Sequence, residues 1–157
     1  MQFRIVFLPQ FRAVSSGVDK VGDFAPDGKL CKFDEFFSSI TPQPSESFEP
    51  RDFLYYDEEK KGMVWIWAIT ESGETGGFDT FDFDGGYYIT FAYRDGDWED
   101  HDKLHKEVYE YINNSDILEL DIRPNHYPMG HIITPKEIME AQGWGQMETF
   151  IPVRMKR

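Results

Sequence analysis

Glu148 is the most chemically loaded residue of this 157-residue chain, because it is an acid set inside the apolar run Met147-Glu148-Thr149-Phe150-Ile151-Pro152-Val153. If that run is a strand, Gln146 and Phe150 share its face by the two-residue period. A carboxylate among rings can neutralise a cationic ligand whose other surfaces stack on the aromatics. The same group can serve as a general acid or base. The spacing is met equally well by a rim glutamate on the solvent face of an edge strand, since glutamate is rarely buried without a partner.

The rings that could join it are Trp65 and Trp67, Tyr55 and Tyr56, Tyr88, Phe91 and Phe150. Trp65 and Trp67 fall on one face of a strand and Val64, Ile66 and Ala68 on the other. The large flat set is expected to wall a pocket while the small set packs under a helix, although a core role would use the tryptophans as well. Each tyrosine offers an apolar ring with a hydroxyl able to orient a ligand. Gly85-Gly86, just before Tyr88, lets the chain kink near a ligand or form a simple bulge. His101 and His105 stand four apart with Asp102 between them, a distant echo of a metalloprotease helix. No third ligand is evident and the surrounding segment is charged, so they read as surface or boundary histidines, with neither metal nor cofactor expected. His126 and His131, in a loop with Pro and Gly, point to no site. Phe78 to Asp84 mixes rings with acids, as a solvated edge strand does.

These residues need elements to hold them. Phe3 to Val14 reads as a strand interrupted at Pro9, which cannot donate to a ladder. Gly17 to Gly28 is loop. Leu30, Phe33, Phe37 and Ile40 make one helical stripe, stopped by Pro42 and Pro44. Ser45 to Pro50 is a connector. Phe53 to Tyr56 and Met63 to Thr70 are strands across a charged turn. Glu71 to Gly77 is a polar join near the middle of the chain. Beyond it, Phe78 to Tyr93 is a long strand broken at Gly85-Gly86. Asp97 caps a helix over Trp98 to Ile112 with Leu104, Val108, Tyr111 and Ile112 as its stripe, and Asn113-Asn114 end it in a left-handed cap. Ile117 to Ile122 and the stretch before Pro128 supply further strands. Thr134-Pro135-Lys136-Glu137 is a capping box opening a short helix that Gly143 closes. Met147 to Met155 is the last strand. The order strand, helix, strand, strand occurs twice, with halves at about 1–72 and 77–157 of one 1–157 domain. The expected fold is α+β, two tandem β-α-β-β units whose antiparallel sheets leave a ligand cleft between the halves.

Composition excludes other classes. The net charge of −13 repels phosphate backbones, so direct nucleic-acid binding is not expected. A 40 % apolar share with 14 Phe, 8 Tyr and 4 Trp is incompatible with a disordered acidic chain. The single Cys31 can form no internal disulfide. No run approaches a membrane span, and MQFRIVFLPQF lacks the features of a signal peptide, so a cytoplasmic protein without a membrane partner is expected.

Three blocks in order give the chain a resemblance to a family. They are Pro50-Arg51-Asp52-Phe53-Leu54-Tyr55-Tyr56-Asp57 leading into Val64–Ile69, then Phe83-Asp84-Gly85-Gly86-Tyr87-Tyr88-Ile89-Thr90, then Met147–Val153. Together they resemble the effector-binding domains related to the DNA gyrase inhibitor protein, which also serve AraC-type and MerR-type multidrug-responsive regulators. The chain is similar to the stand-alone members, and residues 115–145 do not register with the family. The resemblance implies tandem β-α-β-β units and a pocket for small hydrophobic, often cationic aromatic, molecules, as in drug sensing or sequestration. It places Glu148 and Tyr88 in that pocket. It also implies two other functions: hydrolysis of strained cyclopropane-containing electrophiles, with Glu148 and Tyr88 on opposite walls as the catalytic pair, or inhibition of gyrase or another protein by an acidic surface.

Overall fold

The structure, a computed structural model, describes residues 2–21, 24–41, 43, 46 and 50–157. Its elements are β1 (Arg4–Leu8), β2 (Phe11–Ser15), α1 (Lys29–Ser38), β3 (Asp52–Asp57), β4 (Gly62–Ala68), β5 (Asp79–Phe83), β6 (Gly86–Arg94), α2 (Trp98–Asn113), β7 (Leu118–Leu120), β8 (Met129–Ile132), α3 (Lys136–Gln142) and β9 (Gln146–Met155). Pro42 and Pro44, Gly22 and Asp23 of the first loop, and Ser45, Ser47, Phe48 and Glu49 of the connector lie outside the described residues. The fold is mixed α+β with antiparallel strand pairing. No described helix is long and apolar enough to cross a membrane.

The chain forms two compact units, Gln10–Asp84 and Met1–Pro9 with Gly85–Arg157. The division therefore falls at Pro9 and Gly85, not in the Glu71–Gly77 join. The reason is pairing: β1 hydrogen-bonds to β6 while β2 hydrogen-bonds to β4 and β5. Pro9 separates two strands of different units, and β5 belongs with the first four elements that follow Pro9. At the second crossing Gly85 has φ 69°, and a Cβ there would run into the Leu8 carbonyl oxygen. Only glycine fits.

In the unit Gln10–Asp84 the strand order is β3-β4-β2-β5, with α1 against the sheet. The tryptophan face of β4, not the small-residue face, lies under the helix. Val14, Phe33 and Trp67 form the buried centre, with Trp65, Phe36, Phe37 and Phe78 around it. The helix presents phenylalanines, and broad indoles offer them edge-to-face partners, as at Phe37–Trp65 (5.1 Å) and Phe36–Trp67 (6.0 Å). Leu30 and Phe33 of the predicted stripe are fully buried, whereas Ile40 lies past the helix end.

In the other unit the order is β1-β6-β9-β8, and β7 also pairs with β9. Ile89, Phe91, Tyr93, Ile151 and Val153 form one sheet face, closed by Val108 and Ile112 of α2. Asp97 caps α2, its carboxylate accepting from the Asp100 N–H at 3.0 Å. Asn114 ends it in a right-handed conformation (φ −91°), so the left-handed cap is not used. Thr134 does not form a capping box either, because its hydroxyl accepts from the Gln146 N–H at 2.7 Å. Gly143 closes α3 with φ 82°.

Candidate functional site

The strand register of β1, β6 and β9 builds a trough. Arg4 pairs with Thr90, Thr90 with Phe150, and Ala92 with Glu148. Cross-strand partners share a face, so Arg4, Thr90, Ala92, Glu148 and Phe150 all lie on the sheet face opposite α2. Along β6 the alternation is large and small: Ile89, Phe91 and Tyr93 feed the core under α2, while Thr90 and Ala92 lie on the other face. Two short side chains on the middle strand leave a depression between β1 and β9, which stand roughly 10 Å apart.

That depression is an open cavity of about 480 Å³, lined by Gln2, Phe3, Arg4, Thr90, Phe91, Ala92, Ile133 and Glu148. The Arg4 side chain crosses β6 above the two small residues. Its Nη2 donates to Glu148 Oε1 at 2.7 Å, and its Nε donates to the same oxygen at 3.2 Å. The Nε also lies 3.2 Å from the Thr90 hydroxyl oxygen. The partners differ sharply in environment: the Glu148 side chain is 5 % exposed, the Arg4 side chain 68 %. A buried carboxylate is tolerable only when its lost hydration is replaced by donors, and Arg4 supplies them from a solvent-facing edge strand. On the other side of β9, His131 takes the register position opposite Glu148.

The other nominated residues occupy different surroundings. Tyr88 is fully buried and not on the cavity wall. Its hydroxyl lies 3.0 Å from His126 Nε2, which is also 3.0 Å from the Gly85 carbonyl oxygen. His126 Nδ1 donates to the Asp121 carbonyl oxygen at 2.7 Å, with the Asp121 carboxylate 3.7 Å away. Phe150 packs edge-on against Tyr88 with centroids 6.2 Å apart. Tyr88 pairs with Pro152, four register positions from Glu148, or about 14 Å of strand. The two do not stand on opposite walls; they share one sheet face, too far apart to serve one small reacting centre. Phe91 borders the cavity, but its ring packs with Tyr93 and His101 on the α2 side.

Trp65, Trp67, Tyr55 and Tyr56 belong to the unit Gln10–Asp84. The tryptophans are engaged with α1, and Trp65 Nε1 donates to the Asp52 carboxylate at 3.1 Å. Tyr55 is buried beside Phe53, Val64 and Ile66 on strands β3 and β4, and Tyr56 is exposed. Among the described residues no group of three or more His, Cys, Asp or Glu side chains is placed to hold a metal ion.

Sequence reasoning missed Arg4, Thr90, Ile133 and the Tyr88–His126 pair. The large–small alternation Ile89-Thr90-Phe91-Ala92-Tyr93 was a usable signal for the trough. Nothing local linked Arg4 to a residue 144 positions away.

No family model matches the chain, and no curated protein matches it. Solved structures share its fold. One is a hydrolase from Listeria innocua (TM-score 0.58, 13 % identity, covering 98 % of this chain and 92 % of that one). Another is a protein bound to tetraphenylphosphonium (TM-score 0.59, 13 % identity, 98 % and 94 % coverage). A third, from Staphylococcus aureus, is named as a candidate transcription regulation protein (TM-score 0.57, 13 % identity, 98 % and 99 % coverage). At that identity the likeness shows the fold alone.

Proposed function

We propose that this chain binds small hydrophobic cations at the β1–β6–β9 trough, with Glu148 as the counter-ion. The observation that supports this most directly is the buried Glu148 carboxylate at a cavity, reached by a solvent-facing cation. A site that already holds a guanidinium has the polarity for a cation. Ile133 and Ala92 give apolar wall for a ligand's body, while the Phe3 ring packs on Tyr111 of α2 at 4.7 Å. The net charge of −13 raises the local concentration of cations without choosing among them. A protein of the same fold is bound to tetraphenylphosphonium, a bulky cation, which agrees with the ligand class that the sequence resemblance implies. Sensing or sequestration of such compounds is the corresponding role. The hydrolase reading with Glu148 and Tyr88 as a pair has no geometric support, since Tyr88 is committed to His126.

Isothermal titration against a panel of cationic aromatic dyes tests the reading, with Glu148→Gln as the control. The expected outcome is binding by the natural chain and affinity reduced tenfold or more in the variant, the factor that about 1.4 kcal/mol represents. Equal binding by both proteins would remove Glu148 from recognition.

A further inference from the structure

Resting on that reading, we infer that Arg4 occupies the seat of the ligand's cationic head. Among hydrophobic cations the preferred ligands of this trough are then N–H-bearing planar ones, amidinium or guanidinium groups on an apolar body, that enter by displacing Arg4. The geometry carries the chemical class. Glu148 Oε1 receives two N–H donors from Arg4, from Nη2 at 2.7 Å and Nε at 3.2 Å. With Arg4 in place the Glu148 side chain is 5 % exposed, so the hydrogen bonds of this oxygen come from the group seated over it. A cation without N–H groups, such as a quaternary ammonium, neutralises the charge but leaves the oxygen without its hydrogen bonds. That omission weakens binding by about tenfold or more. An amidinium reproduces the planar fork that matches a carboxylate.

Displacement is built into the placement of Arg4. It lies on β1, which ends the strand order of its sheet, and 68 % of its side chain is in contact with solvent. On leaving Glu148 the guanidinium passes into water, where it is well solvated, without any strand having to move. The apparent affinity for a ligand is then the intrinsic affinity reduced by the fraction of molecules in which Arg4 has vacated the seat. Arg4 thus sets a threshold: donor-poor cations displace it less readily than donor-rich ones.

Two probes of equal charge and similar body separate the possibilities: 4-phenylbenzamidinium and biphenyl-4-yl-trimethylammonium. Each is titrated calorimetrically into the natural chain, Arg4→Met and Glu148→Gln. The natural chain is expected to bind the amidinium about tenfold more tightly than the trimethylammonium. Arg4→Met, which keeps an apolar stem without the charge, is expected to tighten amidinium binding by about tenfold. Independently of any variant, the Arg4 Nε–H resonance of the natural chain should move to the position of free arginine as the amidinium saturates it. Equal affinity for the two probes, no tightening in Arg4→Met, or an unmoved Arg4 resonance at saturation overturns the inference. If Glu148→Gln still loses binding in those cases, the cation site stands and only the role of Arg4 falls. If Glu148→Gln binds as the natural chain does, both fall.

Discussion

At the scale of single residues, buried polar groups here are placed in pairs that cross long stretches of chain. Tyr88 and His126 are both almost entirely buried, and each satisfies the other across 38 positions. His126 Nδ1 donates to the Asp121 carbonyl oxygen at 2.7 Å, and Nε2 lies 3.0 Å from both the Tyr88 hydroxyl and the Gly85 carbonyl oxygen. Removing that hydroxyl takes away one buried polar contact of the His126 ring. Tyr88→Phe is therefore expected to destabilise the chain by about 1–2 kcal/mol while leaving the cavity at Glu148 unaltered. Urea unfolding measures the first and dye titration the second. Lost dye binding with unchanged stability would place Tyr88 in the ligand site after all.

Elements carry their own pH response. On α2, His101, His105 and Tyr109 form a ladder of rings, with His105 stacked on Tyr109 at 4.4 Å. Burial, and secondarily the neighbouring His101, push the His105 pKa below its ordinary 6.5, against a smaller opposing pull from Asp102. The unfolded chain then binds a proton more readily than the folded one. This contribution to stability is complete above about pH 6.5 and is lost as pH falls through the lower folded value. Thermal melts between about pH 7.5 and 5 should show stability declining toward acid, with a shallower decline in His105→Gln. An identical slope in the variant would mean that other groups dominate the acid limb. The same helix shows how far local signals reach. Its stripe and its Asp97 cap follow from residues within a few positions of one another.

For the whole molecule the dominant fact is the excess of 29 acids over 16 Lys and Arg. Several of the described ion pairs are solvent-exposed on both sides and contribute little individually. The remaining acids repel one another over a screening length of about 30 Å at 0.01 M salt and about 8 Å at 0.15 M. Apparent Tm is expected to rise between those two concentrations, by roughly 2–4 °C for each kcal/mol of repulsion relieved. Differential scanning calorimetry with an inert salt checks this. A Tm that stays level would show that the acids are neutralised locally.

What the amino-acid order determined by itself was whatever depends on near neighbours. The 3.6 and 2 periods placed the elements that include Leu30 and Phe33, Val108 and Ile112, and Met147 to Met155. Pro9 and Gly85-Gly86 marked the breaks between strands. The acidic residue worth watching, Glu148, was also legible, because an acid inside an apolar strand needs a reason. The tertiary structure decided which strands are neighbours, and with that everything non-local. Only pairing of β1 to β6 and β6 to β9 brings Arg4 across Thr90 to Glu148. Only the packing of α1 shows that Trp65 and Trp67 face a helix. A strand's alternation assigns its residues to two faces but never says what covers either one. That choice depends on the shape and chemistry of elements dozens of residues away.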